Sequence, residues 1–122
     1  SPSLDAVYKL VAERREGEWR GVAKTSEDKT DVPGAKQVFR RFATDGEMEG
    51  DVIGAAEEQL EGKALLVPAM RGGEIVLTET IERMRERTNA NLAALPRGLR
   101  LGDGEPYGVA LSERLRASPT EP

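Results

Sequence analysis

Five cations crowd the stretch between positions 24 and 41, KTSEDKTDVPGAKQVFRR: Lys24, Lys29, Lys36, Arg40 and Arg41. A hydroxyl, Ser26, lies between the first two lysines. Ammonium groups in a loop act as point charges towards phosphate, and a hydroxyl beside them adds a short hydrogen bond. Lys24, Ser26 and Lys29 are therefore the best candidates for a phosphate site. The plain alternative is a solvated charged loop, and residue types alone favour it. Lys36 and Arg40 are four apart on a predicted strand and share a face. That face meets either an anion or water, and nothing in their types decides between them.

Other constellations are weaker. Glu27, Asp28 and Asp31 offer hard oxygen ligands, but they are better read as balancing the neighbouring lysines, so no metal site is assigned. Gly72-Gly73 is not followed by a helix start and reads as a hairpin turn rather than a phosphate cradle. The acidic run Glu57, Glu58 and Glu61 reads as a solvated face. Trp19 and Tyr107 read as core. With no histidine and no cysteine there is no Ser-His-Asp set, no Cys-His pair and no disulfide. No catalytic residue is assigned.

Composition narrows the class. At 122 residues, with 33% charged and 4% aromatic side chains, this is one thinly cored domain that leans on a partner surface. No apolar run approaches the roughly 20 residues needed to span a bilayer. The net charge of −4 argues against nucleic acid. The charge is uneven: Arg20 to Arg41 holds an excess of cations, and Phe42 to Glu82 a larger excess of carboxylates. A basic patch on an acidic domain suits a small anion better than a polyanion.

The elements that must carry these residues follow from periodicity. Strands are predicted over residues 6–12, with apolar side chains on both faces, then 19–23, 36–42, 51–53, 64–70 (interrupted by Pro68), 75–77 and 107–111. Gly17 and the Val32-Pro33-Gly34 triplet mark turns. A single substantial helix is predicted over residues 79–95. Ile81, Met84, Thr88, Leu92 and Leu95 line one face of it, meant for packing on strands, with Thr78 or Thr80 as its cap and Pro96 as its stop. Residues 97–105 read as a glycine-rich connection. Residues 1–116 form one α+β unit of mainly antiparallel strands, and 117–122 a disordered tail.

Several words of the sequence are also familiar in their order. Tyr8-Lys9-Leu10-Val11, then Lys24-Thr25-Ser26-Glu27-Asp28-Lys29, then Pro33-Gly34-Ala35-Lys36-Gln37-Val38-Phe39-Arg40, resemble the C-terminal portion of nicotinate phosphoribosyltransferases. Gly50 to Ile53, Leu65 to Pro68, Met70 to Gly73, Leu92 to Pro96, Pro106-Tyr107 and Ser112 continue the likeness nearly to the end.

That resemblance implies an α+β portion packing on an α/β barrel that should precede Ser1 and is absent from this chain. It implies a cytoplasmic, usually homodimeric enzyme of NAD salvage. Such an enzyme joins nicotinate to phosphoribosyl pyrophosphate, with magnesium and with ATP hydrolysis coupled through a histidine of the barrel. It also turns the lysine loop from a solvated cluster into a group of phosphate contacts. A chain without histidine is expected to be inactive alone. The competing reading is a non-catalytic accessory or anion-binding domain.

Overall fold

The computed structural model describes residues 8–22, 32–102 and 105–117. Its centre is a four-stranded sheet in the order β5-β3-β4-β8, built from β3 (Lys36–Phe42), β4 (Met48–Ala55), β5 (Lys63–Ala64) and β8 (Val109–Leu111). β3 and β4 form an antiparallel hairpin in which Arg40 stands opposite Asp51, with a bulge between Arg41 and Phe42. Asp45 makes the turn: its carboxylate accepts from the Glu47 amide, and Gly46 takes φ +90°. β5 adds antiparallel to β3, and β8 adds parallel to β4 with Asp51 opposite Val109.

Beyond β5 the ladder continues by side chain. Leu65 donates its amide to the Val38 carbonyl, and the Gln37 amide then bonds both the N–H and the C=O of Leu66. The expected strand over 64–70 is therefore replaced by a two-residue strand and this clasp, ahead of Pro68, which cannot donate to a ladder. Gly62 makes the approach to β3 possible, since a Cβ there would lie 2.7 Å from the Arg40 carbonyl oxygen.

Two small hairpins flank the sheet. β1 (Ala12–Arg15) pairs with β2 (Glu18–Gly21), and β6 (Met70–Arg71) pairs with β7 (Glu74–Ile75) across Gly72-Gly73, both at positive φ. The second is the hairpin that the sequence predicts. The first corrects it: no strand runs through Tyr8 to Val11, and Trp19 is 72% exposed rather than core. Residues 6 and 7 lie outside the described residues.

Helix α1 (Ile81–Ala94) is capped by Thr80, whose hydroxyl accepts from the Arg83 amide at 3.2 Å. Leu95 takes extended backbone before Pro96, as the residue ahead of a proline must. The expected packing of its apolar face on strands is not found, because no residue of α1 is buried and Ile81, Met84 and Leu92 are all exposed. Residues 97–105 also depart from expectation: Arg97–Leu101 forms a short helix, α2, closed by Gly102 at φ +79°. Helix α3 (Glu113–Ala117) takes in Ala117, the first residue of the predicted tail; the other tail residues lie outside the described residues.

The core is small. Phe39, Met48, Ala55 and Leu115 are its buried apolar residues among those described, all from β3, β4 and α3. The architecture is α+β with mostly antiparallel pairing, as expected, and with one parallel junction that was not.

Candidate functional site

The lysine-bearing stretch itself, with Lys24, Ser26 and Lys29, lies outside the described residues. Its two ends do not. The Val11 carbonyl accepts from both the Val22 amide, at 2.8 Å, and the Gly34 amide, at 2.7 Å. One acceptor thus ties the point where the chain leaves to the point where it returns. Gly21 and Pro33 pack so closely there that a Cβ on Gly21 would lie 2.8 Å from the Pro33 Cβ. Lys36 Nζ donates to the Gly34 carbonyl at 2.7 Å, holding a cation at the foot of this stem. Behind it, Ala12, Arg20, Pro33, Ala55, Arg114 and Leu115 border an open cavity of about 380 Å³.

Arg40 takes a course that the sequence reading did not weigh. Its Nε and Nη2 donate to the two carboxylate oxygens of Asp51, each at 2.9 Å, and the Tyr107 hydroxyl donates to Asp51 Oδ1 at 2.8 Å. The fork fits the carboxylate in a half-buried setting, the geometry in which a guanidinium is worth most. Hydrogen bonds from Arg40 hold the Asp51 carboxyl below its ordinary range, against a smaller opposing effect of burial. The same bonds raise the Arg40 guanidinium. Burial, then the Asp51 carboxylate, raises the Tyr107 phenol. The cluster ties β3, β4 and the segment before β8 into one frame. Arg40 is thus paired with Asp51 within the sheet, whereas Lys36 donates to the Gly34 carbonyl.

Asp51 and Tyr107 are the residues that sequence reasoning missed as a functional pair. The signal was there for Asp51, which lies across from Arg40 when both strands are counted outward from the Asp45-Gly46 turn. The Tyr107 contact has no comparable signal. This cluster closes one end of a cleft of about 310 Å³, walled by Met48, Thr88, Leu92, Leu95 and Leu99. Polar groups at one end of an apolar cleft are the usual make-up of a contact or ligand surface.

A second clamp sits at the far end of β4. Glu58 Oε2 accepts from the Ala55 amide at 2.6 Å and from the Ser112 hydroxyl at 2.8 Å. The Ser112 oxygen in turn accepts from the Leu115 amide and caps α3. Glu58 is thus structural rather than part of a solvated face. A Cβ on Gly54 would lie 2.6 Å from Glu58 Oε2, which explains the glycine. Among the described residues no group of three acidic, histidine or cysteine side chains converges to hold a metal, and no helix is long and apolar enough to cross a membrane.

No protein-family profile matches the chain. It is, however, 40% identical over 119 residues to nicotinate phosphoribosyltransferase pncB2 of Mycobacterium tuberculosis, in each of two strains. The match takes in 94% of this chain and 25% of the relative, so the chain spans about a quarter of the curated relatives it matches. A crystal structure of human nicotinic acid phosphoribosyltransferase shares the fold with a TM-score of 0.59 at 22% identity, over 82% of this chain and 25% of that one. The likeness read from the motifs is borne out: this chain resembles a quarter of a nicotinate phosphoribosyltransferase.

Proposed function

We propose that this chain is the C-terminal portion of a nicotinate phosphoribosyltransferase, packed on the catalytic α/β barrel of that enzyme. The observation that carries the reading is the 40% identity sustained over 94% of the chain. The whole enzyme would join nicotinate and phosphoribosyl pyrophosphate into the mononucleotide of NAD salvage, hydrolysing ATP, as a cytoplasmic homodimer.

In this reading the chain supplies electrostatics rather than an acid, base or nucleophile. Lys24, Ser26, Lys29 and Lys36 stand beside phosphate oxygens, where cations stabilise the charge that accumulates on a departing pyrophosphate. The closed stem between Val22 and Gly34 supports this, because a loop with tethered ends presents its cations with less entropy to lose. Arg40, committed to Asp51, enters as the residue that keeps β3 and β4 in register behind that stem. Magnesium and ATP would be bound by the assembled enzyme.

The test is kinetic. The isolated chain, mixed with nicotinate, phosphoribosyl pyrophosphate, ATP and magnesium, yields no mononucleotide; assembled with the barrel portion, it does. In that assembled enzyme Lys24→Ala and Lys29→Ala each lower kcat/KM by roughly 10- to 150-fold, the equivalent of losing one charge-assisted hydrogen bond. Arg116→Ala, exposed on α3, leaves it unchanged. Equal losses in all three, or none in any, would reduce the loop to a solvated cluster and favour the accessory-domain reading.

A further inference from the structure

The apolar stripe of α1 is only half used. Thr88, Leu92 and Leu95 border the cleft closed by Arg40, Asp51 and Tyr107, but Ile81 and Met84, one turn apart at the N-terminal end, border no part of it. The hairpin that feeds the helix has the same character. Met70, Ile75, Val76 and Leu77 are exposed, and Val76 and Leu77 are fixed in place because both their amides donate to the Ala69 carbonyl. The most extensive backbone packing among the described residues joins β3, β4, β5, β8 and α3, and within each small hairpin its own two strands; α1 is not among these partners. Six large apolar side chains in one run of the chain thus lie uncovered on ordered elements. Scattered exposed apolar residues need no explanation, but a contiguous set marks an interaction surface.

We propose that the β6–β7 hairpin and the first two turns of α1 form the surface on which this chain docks to the remainder of its enzyme. The proposal rests on the functional reading above. The occupant follows from length: the relatives that match 94% of this chain are covered to only 25%, so three quarters of such a protein stands ready to cover this face. Charge disfavours a lipid surface, which selects clustered cations around an apolar stripe. Here Arg71, Arg83, Arg85 and Arg87 alternate with Glu74, Glu79, Glu82 and Glu86. Glu79 and Arg87 pair with each other at 2.7 Å, and Arg83 with Glu86 at 3.6 Å. Charges of mixed and paired sign around an apolar centre are the rim of a protein–protein contact.

The chain carries its own probes. Its three methionines are Met48, 4% exposed in the core, and Met70 and Met84, 62% and 41% exposed on the proposed surface. Peroxide converts accessible methionine to the sulfoxide, so oxidation rates mapped by peptide mass report coverage without any substitution. In the isolated chain Met70 and Met84 oxidise readily and Met48 slowly. In the protein that contains this chain together with the other three quarters, Met70 and Met84 slow by about tenfold or more, towards Met48, as groups that must await local opening do. Unchanged rates at Met70 and Met84 in the assembled protein would overturn the proposal. Protection that appears in the isolated chain and rises with its concentration would also overturn it, by assigning the surface to a second copy. An assembled protein that makes mononucleotide with both methionines still reactive refutes the surface alone. One that protects them but makes no mononucleotide refutes the functional reading alone.

Discussion

The sheet and the stretch that interrupts it follow the same rule of apolar patterning with opposite results. In β3 and β4 apolar residues are interspersed with polar ones, and Phe39, Met48 and Ala55 are buried together with Leu115 of α3. From Met70 to Leu92 apolar residues also recur, and Met70, Ile75, Ile81, Met84 and Leu92 stay open to water. Pattern states which side chains gain from burial, about 25 cal/mol for each Å² removed from water. It does not state whether the same chain supplies the cover. In the sheet it does, with Arg40, Asp51 and Tyr107 satisfying the polar groups around the edge.

Three substitutions in the isolated chain probe this contrast, the largest effect first. Phe39→Ala removes the one buried aromatic side chain of the described core and should cost about 3–5 kcal/mol in denaturant unfolding. A loss below about 1 kcal/mol, within the range of an ordinary surface change, would mean that the sheet is not the stable half.

Asp51→Ala leaves Arg40 and Tyr107 without their shared acceptor and should cost about 1.5–3 kcal/mol, the worth of hydrogen bonds to a charged group. It carries a pH signature. The folded-state carboxyl lies below its unfolded value of about 3.9, so the stabilisation is present above that value and disappears as pH falls through the lower folded one. The wild-type chain therefore converges on Asp51→Ala in acid, and a gap that persists unchanged at low pH removes the ion pair as its cause. At the alkaline end, the raised Tyr107 phenol contributes stability that is present below its ordinary value near 10 and is lost as pH rises through the folded one.

Leu92→Ala, from the open stretch, should cost under about 1 kcal/mol, because a half-exposed leucine gives up little transfer energy and leaves no closed cavity. A cost of several kcal/mol in the isolated chain would erase the contrast between the two regions.

How much of this was readable in advance depended on whether the determinants were local. The bounds of β3 at Lys36 and Phe42, the Gly72-Gly73 turn and a threonine cap at Thr78 or Thr80 follow from neighbours in sequence, and all three are found, the cap at Thr80. What failed needed a distant partner or assumed one. Trp19 reads as core because tryptophan gains most from burial, yet nothing described in this chain covers it. The helix face of Ile81 and Met84 fails for the same reason. Glu58 reads as solvated because its partners, Ser112 and the end of β4, are set by a pairing far along the chain. At the candidate site, the lysine cluster was visible by composition alone, whereas the Arg40–Asp51 pair required the register of β3 on β4.

The parallel junction of β4 with β8 has a further consequence. Because β8 returns to lie beside β4, everything from Leu66 to Val109 is one excursion that leaves beside β3 and returns beside β4, with Ser112 locking the seam through Glu58. The entropy of closing such an excursion grows only with the logarithm of its length, about 0.6 kcal/mol for each doubling. Residues added to or removed from the turns of the β6–β7 hairpin or α1 therefore tax the sheet very little. Natural variation can reshape what the excursion presents while the frame behind the lysine stem stays where it is. In the isolated chain, insertions at Gly72-Gly73 leave the stability of the sheet nearly unchanged.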